Sequence, residues 1–187
     1  MSLTYSKPPQ FHEPIPLFEL PDAFGKVYTL GDWGDKLVLV VIFTCNHCPY
    51  AQAVRPQLID LWKHYQDRKA SLQFVAINSN DVKEYPEDAT DKMKEDRYSY
   101  PFPYLRDESQ DMAHEFGAVC TPDIFVYNRN RHLAYHGRIN DNWKEPEKAR
   151  THDLKNAIDR IHRGETPDLD QKPSMGCSIK WRSTIAS

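Results

Sequence analysis

The chain has no run of about 18 apolar residues, so nothing in it is patterned to span a bilayer. It has no broad basic field either. Its 24 Lys and Arg stand against 27 Asp and Glu, a net charge of −3 that argues against nucleic acid as a partner. Four cysteines in 187 residues are too few for a disulfide scaffold. The start of the chain, Met1 to Pro9, lacks a basic region followed by an apolar core, so no secretory signal is read and cytoplasm is the expected location. No internal repeat is present. What remains is ordinary for a globular protein, with 40% hydrophobic and 27% charged residues and a length suited to one well-buried core.

One junction stands out against this background. Leu37-Val38-Leu39-Val40-Val41-Ile42-Phe43 is short, apolar and β-branched, which suits a strand buried on both faces of a sheet. It runs directly into Cys45-Asn46-His47-Cys48-Pro49. Beyond Cys48 the apolar residues Ala51, Val54, Leu58, Leu61 and Trp62 recur at helical spacing, predicting a helix over about 48–68 that Pro56 kinks or interrupts. Two thiols three residues apart on a first helical turn lie about 5–6 Å apart, within reach of a disulfide. The leading Cys45 meets the positive end of the helix, which lowers a thiol pKa and makes it a nucleophile, with Cys48 resolving. His47, between them, is placed to tune Cys45 by charge or hydrogen bonding. The same motif also reads as half a metal site or as two inert core thiols, but the preceding strand favours redox chemistry.

Other elements are legible by pattern. Phe18, Leu20, Val27, Tyr28 and Leu30 around Asp22-Ala23-Phe24-Gly25-Lys26 predict a β-hairpin, and Leu72–Ile77 a second buried strand. The charged stretch Glu87–Arg97 has the composition of a solvated helix. A short helix is expected over Ser109–Phe116, strands over Ile124–Tyr127 and Leu133–Ile139, and a last helix near Lys148–Arg163. These make an α/β sandwich with a mixed sheet. The division is an N-terminal arm (1–13), a core domain (14–163) and a C-terminal tail (164–187) packed back on the core through Met175, Ile179 and Trp181. His132 and His136 read as surface residues of a hairpin.

A second constellation, Cys120-Thr121-Pro122-Asp123, enters the third strand. Proline belongs at the start of a strand because it cannot donate to the ladder. A cis bond here would expose the Thr121 backbone for pairing with an extended peptide; an ordinary trans proline is the alternative. Cys120 reads either as a small buried hydrophobe or as an accessory thiol near the site. Gly176 lets the chain turn beside Cys177, for which a docked structural role is expected, with a third redox thiol as the alternative.

Strand, C-x-x-C, helix, then Thr-Pro entering a later strand, a hairpin and a terminal helix resemble the thioredoxin fold over about residues 14–163. The preceding hairpin is similar to the alkyl hydroperoxide reductase/thiol-specific antioxidant branch. Phe43 to Tyr50, Asn78-Ser79-Asn80-Asp81 with Tyr85-Pro86, Gly117 to Asp123 and Gly176-Cys177-Ser178-Ile179-Lys180-Trp181 resemble peroxiredoxin-like bacterial thioredoxin-family proteins. The resemblance implies a redox protein with antioxidant chemistry, in which Cys45 matches the attacking Cys, Cys48 the resolving Cys and Pro122 the cis-proline. The chain departs from thioredoxins proper, which carry a buried Asp six residues before the first Cys and a Trp just before it; here Leu39 and Thr44 stand there. The peroxiredoxin pattern P-x-x-x-T-x-x-C is also unmet, with Val41 and Cys45 before Cys48 and Val38 and Ile42 before Cys45.

The expectation is a thioredoxin-like thiol–disulfide oxidoreductase acting through Cys45 and Cys48, with a protein or small-molecule disulfide or thiol as partner. Thr121 and Pro122 orient that partner, and neither a cofactor nor a metal is called for. The alternatives are a thiol-dependent peroxidase and a soft-metal (zinc or copper) module using the same cysteines with Cys120 or Cys177. Substrate, electron donor, redox direction and oligomeric state are not readable from the sequence.

Overall fold

The computed structural model describes residues 3–183; the outermost parts of the arm and tail, residues 1–2 and 184–187, lie outside the described residues. In chain order the strands and helices begin with β1 (Leu3–Tyr5), β2 (Glu19–Pro21), β3 (Val27–Thr29), β4 (Val38–Phe43), α1 (Pro49–His64) and β5 (Leu72–Asn78). There follow α2 (Thr90–Met93), β6 (Tyr104–Arg106), α3 (Asp111–Glu115), β7 (Cys120–Thr121) and β8 (Asp123–Tyr127). The last are β9 (Leu133–His136), α4 (Asp153–His162) and β10 (Met175–Ser178).

β4 lies at the centre of a mixed five-stranded sheet of order β6-β5-β4-β8-β9. It runs parallel to β5 and antiparallel to β8. Its unbroken apolar run follows from burial on both faces. Val38, Val40 and Ile42 pack with Val54, Leu58 and Trp62 of α1 and with Leu154, Ile158 and Ile161 of α4. Leu39, Val41 and Phe43 point the other way, toward Phe18 and Leu20 near the hairpin, Trp33, and Ala113 and Phe116 at α3. This is the thioredoxin-like arrangement, with the hairpin β2–β3 ahead of the central strand. Gly25, at φ +88°, makes the hairpin turn, where Asp22 accepts from the Phe24 and Lys26 amides.

α1 runs through Pro56 without interruption, the cost of the missing amide being outweighed by the burial of Val54, Leu58 and Trp62 on either side of it. Three expectations are corrected. The stretch Glu87–Arg97 is not a solvated helix. It breaks into turns at Pro86–Asp88 and Asp96–Tyr98 around the single-turn α2, because Asp88, Met93 and Tyr98 are all buried. The last helix begins at Asp153 rather than near Lys148, where Pro146–Lys148 forms a separate turn. His136 is not a surface residue: its Nε2 lies 2.7 Å from the buried carboxylate of Asp123, and its ring stacks on Phe125 at 4.0 Å.

The two ends of the chain meet in a small second sheet, in which β10 lies between β1 and β7. Leu3 pairs with Cys177 on one side and Thr121 with Cys177 on the other. The tail then continues along the core: the Ile179 amide donates to Val119 O, and the Asp81 amide to Lys180 O. Ile179 is buried and Met175 half-buried. Trp181, expected as a third anchor, is 38% exposed and stacks on His114 at 4.2 Å. Ile179→Ala should therefore cost about 2–4 kcal/mol, read as a lower midpoint in urea at unchanged slope. An unshifted midpoint would show that the tail adds nothing to stability.

Candidate active site

The site forms where β4 ends. Thr44 leaves the strand with its amide still bonded to Ile77 O, and Cys45 to Cys48 turn the chain into α1. Cys48 is the N-cap residue and Pro49 opens the helix, where its missing amide is no loss. This corrects the reading that put Cys45 at the helix end with Cys48 one turn further in. Cys48 holds the end, and Cys45 precedes it.

Across from the turn, the Thr121–Pro122 bond is cis. Thr121 contacts both sulfurs: its Oγ1 lies 3.3 Å from Cys45 Sγ, and its carbonyl oxygen accepts from Cys48 Sγ at 3.2 Å. Cys177, in register with Thr121, completes a buried cluster with Cys45, Cys48 and Ala51. No disulfide joins any of the four cysteines in this structure. Cys120 lies outside that cluster and bonds Pro122 O at 3.7 Å; burial, then the charge of Asp123, push its thiol well up, so it rests protonated.

The two thiols titrate together, and their surroundings push them in opposite directions. Burial pushes the Cys45 thiol well up, and the neighbouring Cys48 sulfur and the Asp88 charge add to this. Cys48 is instead lowered to about 5, chiefly by the Cys45 S–H, against its own burial, with further help from the Cys177 thiol and from the Ala51 and Cys177 backbones. The Thr121 carbonyl accepts the Cys48 S–H and so opposes a thiolate there, while the Thr121 hydroxyl can donate to the Cys45 sulfur and favours one there. The dithiol is one titrating unit that loses its first proton easily and its second with difficulty.

Behind the sulfurs lies a residue that the sequence reading missed. Asp88 is fully buried. Its carboxylate accepts from the Asn46 amide at 2.6 Å, His47 Nδ1 at 2.5 Å and Asn80 Nδ2 at 2.8 Å. Burial alone would raise its pKa, but the bonds from His47, Asn80 and Asn46 hold it below the ordinary carboxylate value. Since a carboxylate only accepts, His47 Nδ1 must carry the proton. His47 was expected to address the Cys45 sulfur directly; it bonds Asp88 and stacks on Tyr85 at 4.7 Å instead. Donor atoms of Cys45, His47 and Asp88 lie within 4.8 Å of one another, a spacing open to a metal ion; His47 Nδ1 is engaged with Asp88, while its buried Nε2 has no hydrogen-bond partner among the described residues. Tyr104 braces the turn by donating to Asn46 Oδ1 at 2.9 Å, and Arg55 donates to Cys45 O at 3.3 Å. The one sequence signal for Asp88 was its neighbourhood, since Asn78 and Asn80, which also face it, belong to a motif already singled out.

The ultraviolet absorbance of thiolate in the reduced protein should show an inflection near pH 5, because a lowered pKa leaves Cys48 charged above that pH. The inflection should vanish in Cys48→Ala. Its survival there and loss in Cys45→Ala would move the charge to Cys45.

The AhpC/TSA family profile matches residues 11–136. A hypothetical protein from Sinorhizobium meliloti 1021 is 38% identical, with a TM-score of 0.88 over 96% of this chain and 99% of its own. An uncharacterized conserved protein from Geobacillus kaustophilus is 36% identical, with a TM-score of 0.90 over 98% of each chain. The thioredoxin domain of a thiol-disulfide oxidoreductase from Bacteroides vulgatus shares the fold at 16% identity, with a TM-score of 0.57 over 74% of this chain and 95% of that one. No curated protein sequence matches. With more than half its length matched and the thioredoxin fold around its paired cysteines, the chain belongs to the AhpC/TSA family.

Proposed function

We propose that the protein is a thiol–disulfide oxidoreductase that cycles Cys45 and Cys48 between dithiol and disulfide. The observation that carries this reading is the meeting of both sulfurs at Thr121, next to a cis-proline whose flanking backbone pairs with an extended strand. The Bacteroides vulgatus relative, a thiol-disulfide oxidoreductase by name, agrees with it.

The order of attack in this reading reverses the one expected from the motif. The Cys48 thiolate attacks a substrate disulfide R–S–S–R′, forming Cys48–S–S–R and releasing R′–S⁻. Cys45 then gives up its proton and attacks Cys48 Sγ, which forms the Cys45–Cys48 disulfide and releases R–S⁻. Two electrons pass to the substrate, and run backwards the same steps oxidise a dithiol. The buried Asp that thioredoxins place on the central strand is Leu39 here, and the His47–Asp88 pair near Cys45 takes its place as the proton acceptor.

The family match gives a second reading, a thiol-dependent peroxidase. Peroxide cleavage needs donors aimed at the reacting oxygens. Arg55, the guanidinium at the site, donates to the carbonyls of Cys45 and Arg97 instead. Disulfide exchange is therefore the better fit. Oxidation of Cys48 by hydrogen peroxide much faster than by a disulfide would favour the peroxidase.

Single-turnover reaction with a chromogenic aromatic disulfide tests the roles. Cys48→Ser should slow release of the first thiol by at least about 10²-fold, because a hydroxyl cannot supply the thiolate. Cys45→Ser should leave that first step intact. The opposite pattern restores Cys45 as nucleophile, and no effect from either variant removes the redox reading. Asp88→Asn should keep the first step and slow the second by about 10²-fold, with the loss greatest at low pH, where no other base is available.

A further inference from the structure

The Cys48 sulfur has a second thiol against it. Cys48 packs with both Cys45 and Cys177 in one buried cluster. Cys177 arrives there on β10, which pairs antiparallel with β7 at Thr121, the backbone that flanks the cis-proline. That is the edge on which an extended partner peptide would add as a strand. The fit is built into the sequence at Gly176. A Cβ at that position would lie 2.0 Å from Thr121 O and 2.5 Å from its carbonyl carbon, so only glycine lets the strand come this close. Beyond the strand, the Lys180 amide donates to Asn80 Oδ1, while the same Asn80 side chain donates to Asp88 Oδ2. One amide side chain thus ties the strap to the buried acid of the active site.

We propose that β10 is a tethered pseudosubstrate, lying where a partner strand would lie and offering Cys177 as a second resolving thiol for Cys48. The proposal rests on the disulfide-exchange reading above. When Cys48 has taken up a partner as Cys48–S–S–R, the sulfur of Cys177 attacks Cys48 Sγ, its proton leaves with the departing R–S⁻ as R–SH, and the Cys48–Cys177 disulfide forms. Attack by Cys45 on that disulfide returns Cys177 to the thiol and yields Cys45–Cys48, so no electrons are gained or lost in the relay. The resting state suits this order. Burial first, then the hydrogen bond and charge of Cys48, push the Cys177 thiol up to about 12, which keeps it protonated while Cys48 is a thiolate. Once Cys48 is in a mixed disulfide its charge is gone, and that part of the restraint on Cys177 goes with it. The strap also closes the site to partners that cannot displace it.

The test uses the full-length chain. Reduced Cys45→Ser protein is oxidised with glutathione disulfide, remaining thiols are alkylated, and the digest is read by mass spectrometry. A Cys48–Cys177 linked peptide is expected, with Cys120 alkylated, and Cys45→Ser/Cys177→Ser should retain glutathione on Cys48. A glutathione adduct that persists on Cys48 in Cys45→Ser, with no linked peptide, overturns the proposal. Wild-type protein oxidised in parallel separates the two claims. Failure to form Cys45–Cys48 there rejects the disulfide-exchange reading itself, whereas its formation together with the persistent adduct rejects only the role of Cys177. A second variant guards against misfolding of the first. Gly176→Ala should lift the strand and raise the alkylation rate of Cys48 at least about tenfold, the gain expected if an open form rises from roughly a tenth of the population to nearly all of it. An unchanged rate in folded Gly176→Ala contradicts the pseudosubstrate.

Discussion

A carboxylate removed from water must be met by donors, and the way Asp88 meets its own organises the active end of the molecule. The donors come from the β4–α1 turn, as the Asn46 amide and the His47 ring, and from the end of β5 and its following loop, as Asn78 and Asn80. Two parallel strands are already in register through β4 and β5, and Asp88 locks together the loops that leave them. The C-x-x-C turn is therefore held from beneath by charge-assisted bonds, and its sulfurs point at Thr121. Losing the carboxylate would leave those donors facing one another, a larger penalty than the loss of any one bond.

The consequence for chemistry is a division of labour between two thiols. Burial and the Asp88 charge push the Cys45 thiol up, while neighbouring donors pull down that of Cys48 at the helix N-terminus. A dithiol in which one member is primed and the other waits beside a base is suited to attack followed by resolution. In the proposed cycle, the acid that thioredoxins carry on the strand is supplied here from a loop, by Asp88 rather than at Leu39.

Much of the fold was legible because its signals are local and apolar. The run from Leu37 to Phe43, the helical spacing after Cys48 and the turn at Gly25 each need only neighbouring residues to be read. The paired thiols and Thr121-Pro122 were legible as motifs. Asp88 was not, because one inward carboxylate among Glu87, Asp91, Glu95 and Asp96 looks like the rest of a solvated face. His136 was misplaced for the same reason, since its partner Asp123 is distant enough in sequence that no spacing rule pairs them. The opposite pulls on Cys45 and Cys48 were illegible as well. They depend on burial and on contact between sulfurs, one of them brought by β10 from the far end of the chain, which no local pattern shows.

The central claim is that Cys45 and Cys48 form a reversible two-electron redox pair. Equilibration of the purified protein across glutathione redox buffers, with alkylation, intact-mass and metal analysis at each point, addresses it most directly. The account predicts one transition in which the chain loses two protons, mapped to a Cys45–Cys48 disulfide and reversed by reduction. A mass that never changes across the series, or one zinc or copper ion per chain that protects both thiols, would contradict it.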